Sequence, residues 1–73
     1  MNPTLMYAHL VVVHAINELA SLHIKRGFSQ AARAIAVQRG HERSDVLIED
    51  DGLMLMFMTV WKSREDALRF SLL

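Results

Sequence analysis

The sequence predicts one α+β domain with its elements in the order β-α-β-β-α. Three observations carry this: an Asp-Gly turn between two apolar runs, a Ser-capped helix start just after Trp61, and a helical spacing of polar residues from His14 onward. The 73 residues fit a single domain, 1–73. A chain of this size buries only about 60% of its unfolded surface. Small folds make up the deficit with disulfides, a metal or oligomerisation. The absence of cysteine excludes disulfides and thiolate zinc sites, which leaves oligomerisation as the most open route.

The first element is read as a strand over Tyr7–Val13. Val11, Val12 and Val13 are β-branched, which favours strand over helix. Asn2-Pro3 is a good helix opening, so an α-α-β-β-α order with a helical N-terminus stays open as the alternative. From His14 the polar residues His14, Asn17, Glu18, Ser21 and Lys25 share one helical face, with Val13, Ile16, Leu19, Ala20 and Ile24 opposite. Gly27 can cap this helix, with Lys25 and Arg26 where its dipole favours cations. Ser29 can then cap a second piece, Gln30–Arg39, that Gly40 ends. Whether Gly27 breaks the helix or only weakens it is open.

Val46–Glu49 and Leu53–Trp61 flank Asp50-Asp51-Gly52, a strong hairpin signal. Ser63 follows as an N-cap with Glu65 and Asp66 in the first turn, then Ala67, Leu68, Phe70, Leu72 and Leu73 as the apolar residues of a last helix.

The strand Leu53–Trp61 is apolar on both faces. Leu53, Leu55, Phe57, Thr59 and Trp61 alternate with Met54, Met56, Met58 and Val60. A sheet wetted on one side alternates apolar with polar, and this strand does not. The Leu/Phe/Trp face is expected under the chain's own helices. The face Met54, Met56, Met58 and Val60 is expected to meet a second copy, another protein partner or a small apolar ligand. The alternative is a strand held inside the monomer, with Met filling gaps in the core.

The stretch Val60-Trp61-Lys62-Ser63-Arg64-Glu65-Asp66-Ala67-Leu68-Arg69-Phe70 resembles a segment of the dimeric α/β-barrel superfamily, the antibiotic-biosynthesis-monooxygenase-like proteins. The resemblance covers about residues 40–70. It implies a ferredoxin-like dimer and, by itself, no reaction. That fold carries a further strand after its second helix, and this sequence reaches Leu73 without one.

The residues offer little chemistry. The histidines His9, His14, His23 and His41 lack metal-ligand spacing, so neither a metal nor another cofactor is expected. On the strand reading His9 shares a face with Val11 and Val13. It is therefore the weak catalytic candidate and, with Trp61, a pocket candidate. Glu49, Asp50 and Asp51 read as turn chemistry. Lys25, Arg26, Arg33, Arg39 and Arg43 give the middle a basic bias, and Ser29–Val37 followed by Ser44–Ile48 loosely suggests a helix-turn-helix. The zero net charge weighs against nucleic acid. No apolar run is long enough for a bilayer, and a cytoplasmic setting is expected. The leading functional expectation is a non-catalytic homodimeric module that binds a protein partner or a small apolar ligand. A monooxygenase-like enzyme and a small DNA-binding regulator are the alternatives.

Overall fold

The computed structural model describes residues 5–71. Leu72, Leu73 and the Asn2-Pro3 helix opening lie outside the described residues. The elements are β1 (Tyr7–His14), α1 (Glu18–Ile35), β2 (His41–Ile48), β3 (Met54–Trp61) and α2 (Arg64–Ser71). The order is β-α-β-β-α in a ferredoxin-like arrangement. Tyr7–His14 is strand, so a helical start there does not hold.

The three strands lie in the order β1-β3-β2, and β3 pairs antiparallel with both neighbours. The β2–β3 turn uses the predicted residues. Gly52 takes φ +75°, its N–H donates to Glu49 O at 2.8 Å, and Asp51 Oδ1 accepts from Leu53 N–H at 2.8 Å. β2 begins at His41, five residues before the predicted start, and carries a bulge between His41 and Arg43. Its polar residues hide it from a search for apolar runs. Because Ser44–Ile48 lies in β2, it cannot serve as a recognition helix.

Helix α1 corrects three expectations. It starts at Glu18, because Asn17 caps it by accepting from Ala20 N–H at 2.8 Å. It runs unbroken through Gly27 and Ser29 to Ile35, so neither residue caps anything. Its inward face also differs from the predicted one. Ser21, Phe28, Ala31, Ala32 and Ile35 face inward, whereas Leu19 is 65% exposed. The reason lies at the hairpin: the short Ser21 side chain admits α1 close to the turn, and its hydroxyl donates to Gly52 O. Helix α2 starts as predicted. Ser63 Oγ accepts from Asp66 N–H at 3.1 Å and donates to Asp66 Oδ2 at 2.8 Å.

Both helices pack on one side of the sheet. The core there is Ile35, Phe57 and Trp61, flanked by Val11, Phe28, Ala31, Ala32, Ala67 and Phe70. Phe28 stacks on Phe57 with centroids 5.1 Å apart. Trp61 Nε1 donates to Thr59 Oγ1 at 2.9 Å, which satisfies two fully buried polar groups at once. The result is a slab of 43 × 27 × 16 Å, one sheet layer and one helix layer thick.

Candidate functional site

The side of the sheet away from the helices has no covering layer among the described residues. Period-two alternation decides what stands on it. Leu55, Phe57, Thr59 and Trp61 of β3 are buried beneath the helices, so Met54, Met56 and Met58 stand on the open side; Val60 shares their parity but is itself buried. The register then names their neighbours. Met56 lies between Val12 and Leu47, Met58 between Leu10 and Asp45, and Val60 between Ala8 and Arg43. Leu10 is 53% exposed, Val12 56% and Leu47 50%.

These neighbours turn one apolar strand face into an apolar surface three strands wide. Ala8, Leu10, Val12 and Leu47 belong to it, and sequence reasoning named none of them. The β1 pattern carried no signal for them, since Leu10–Val13 is apolar at every position and only the β1–β3 register sets its even residues beside the β3 methionines. Leu47 could be placed only through the β2 register. Two charges on the face compensate each other, Arg43 Nε meeting Asp45 Oδ2 at 3.2 Å, and Glu49 adds a third at the hairpin end. A groove of about 240 Å³ runs along the face between Leu47, Ile48, Glu49, Met54 and Met56.

The pocket candidates lie on the other side of the sheet. His9 and Trp61 flank Phe70, with centroid separations of 5.0 Å and 5.5 Å. His41 meets the Trp61 ring at 5.4 Å and shares a 2.8 Å hydrogen bond with Ser44 Oγ through its Nε2. His9 Nδ1 is buried without a hydrogen-bond partner. The cleft beside Trp61 and Phe70, bounded also by Gln38, Arg39, Asp66 and Arg69, measures about 10 Å³, room for one water. The structure thus joins His9 and Trp61 through an aromatic contact and not through a substrate-sized cavity.

Among the described residues no cluster of three or more His, Cys, Asp or Glu could hold a metal ion, and no helix is long and apolar enough to cross a membrane. No protein-family model matches the chain, and no curated protein or solved structure matches it.

Proposed function

We propose that this chain is a homodimeric binding module in which two copies pack their uncovered sheet faces together. The observation that carries this is the apolar surface of Leu10, Val12, Leu47, Met54, Met56 and Met58. Contiguous apolar surface left in water marks an interaction site. Two such sheets stack about 10 Å apart with interdigitated side chains, and a two-fold axis lets one surface serve both copies.

Two magnitudes favour a second copy as the occupant. The chain exposes 5570 Å², whereas a folded monomer of 8.3 kDa scales to about 4,600 Å². The surplus of about 1,000 Å² is close to one partner's share of a standard interface, about 800 Å². The groove between Leu47 and Met56, at about 240 Å³, falls below the roughly 300–1,000 Å³ of sites that enclose a small ligand. The charges of the face sit at its ends: Arg43 and Asp45 pair with each other, and Glu49 stands at the hairpin end of the groove.

The test is Met56→Glu, which sets a carboxylate between Val12 and Leu47. Sedimentation equilibrium of the wild type should show self-association that this variant weakens at least a hundredfold. A variant that associates as tightly as the wild type would remove the proposal.

A further inference from the structure

We infer that β1 is a pairing edge for a second copy of this chain, joined antiparallel to its own counterpart about a two-fold axis at Val11. This is a second contact, separate from the uncovered face.

The backbone decides which groups the edge offers. Ala15 N–H donates to Leu53 O at 2.7 Å, and β1 and β3 keep one register along their whole length. Hydrogen-bonding residues alternate along an antiparallel pair, so Tyr7, His9, Val11 and Val13 turn their backbone groups toward β3. The other edge of β3 agrees, since Glu49 N–H donates to Met54 O at 3.0 Å and the even residues of β3 therefore serve β2. By the same alternation Ala8, Leu10, Val12 and His14 turn their N–H and C=O groups outward. No described strand pairs with them.

Proteins blunt an exposed edge with charges, proline, bulges or shortness. β2, the opposite edge, has such devices: the His41/Arg43 bulge and the charges of Glu42, Arg43 and Asp45. β1 has none. It is eight residues long, continuous in register, and free of proline, glycine, lysine, arginine and acid.

A second copy fits this edge by symmetry. A two-fold at Val11 sets Leu10 opposite the partner copy's Val12 and Ala8 opposite its His14, in both directions. All four outward residues are then bonded, and every paired residue lies on the same face as its mate. No like charges are opposed. The contact also extends the apolar face across both copies, because Leu10 and Val12 belong to it. This two-fold stands normal to the sheet, and the face-to-face two-fold lies in its plane. If both form, the assembly closes at four copies, as two six-stranded sheets with helices outside.

The experiment uses the full chain and reads amide exchange together with mass. In the wild type the amides of Ala8, Leu10, Val12 and His14 should exchange slowly, as His9 and Val11 do, with a mass of about 33 kDa for four copies. Leu10→Pro removes an outward N–H that the β1–β3 ladder does not use, a position where proline is tolerated. It should free the remaining outward amides while His9 and Val11 stay protected; Leu10 also belongs to the apolar face, so in this variant amide exchange, not mass, reads the edge. Outward amides that exchange freely in the wild type, beside protected His9 and Val11, overturn the inference even if Leu10→Pro fails to fold. The two contacts fail separately. A two-copy wild type with protected outward amides supports the edge and removes the face, and one with free outward amides does the reverse.

Discussion

Val12 stands directly opposite Met56 in the β1–β3 register, and both side chains project from the side of the sheet that the helices leave bare. Neither is buried, although Phe57, the residue after Met56, is almost completely so. One strand therefore serves a finished core on one face and an unfinished one on the other. Val12→Lys, placed across from Met56, should weaken self-association as Met56→Glu does, because either charge must lose its water on docking. Combining the two substitutions should recover part of the loss, since the charges then face each other across the strands. Sedimentation of the single and double variants reads both effects.

The Trp61–Thr59 bond predicts a non-additive pair. Thr59→Val keeps the side-chain shape but leaves a buried indole N–H without an acceptor, which should cost about 1–3 kcal/mol. Trp61→Phe removes the donor instead. The double variant should lose less than the sum of the two by about 1 kcal/mol. Urea unfolding at one fixed chain concentration measures all three, because association shifts the apparent stability.

Two glycines predict opposite signs. A Cβ at Gly27, inside α1, meets nothing within 4 Å, so Gly27→Ala should stabilise by about 0.8–1 kcal/mol from helix propensity. Gly40 has φ +81°, and a Cβ there would overlap the Asp66 carboxylate. Gly40→Ala should destabilise by more than the roughly 1–2 kcal/mol of the left-handed conformation alone, because Asp66 must also leave Ser63. Thermal unfolding of the two variants separates the signs.

The helix caps predict similar losses at different places. Asn17→Ala and Ser63→Ala each remove an acceptor for a first-turn N–H and should cost about 0.5–2 kcal/mol. Amide exchange should rise at Ala20 in the first variant and at Asp66 in the second. Equal rates in variant and wild type would show that the cap contributes nothing.

The order of elements was legible because its signals are local. Asp51-Gly52 marks the hairpin, Ser63 with Asp66 marks a helix start, and the alternation of Leu55, Phe57 and Trp61 marks a strand face. What was hidden depends on tertiary contacts. His41–Asp45 is polar and becomes strand only by pairing with β3. Ser21 looks like a solvent-facing residue until the hairpin carbonyl of Gly52 comes within reach. The site was half legible for the same reason. Met54, Met56 and Met58 follow from one strand's pattern, whereas Leu10, Val12 and Leu47 join them only through register.

The face-to-face dimer is tested most directly by isotope-filtered nuclear Overhauser spectroscopy on an equal mixture of labelled and unlabelled chains. The filter rejects the Val12–Met56 contact within one copy. The account predicts intermolecular signals between the Met54, Met56 and Met58 methyl groups of one copy and the Leu10, Val12 or Leu47 methyl groups of the other. A folded protein that yields no intermolecular methyl signal from this face at millimolar concentration would contradict it.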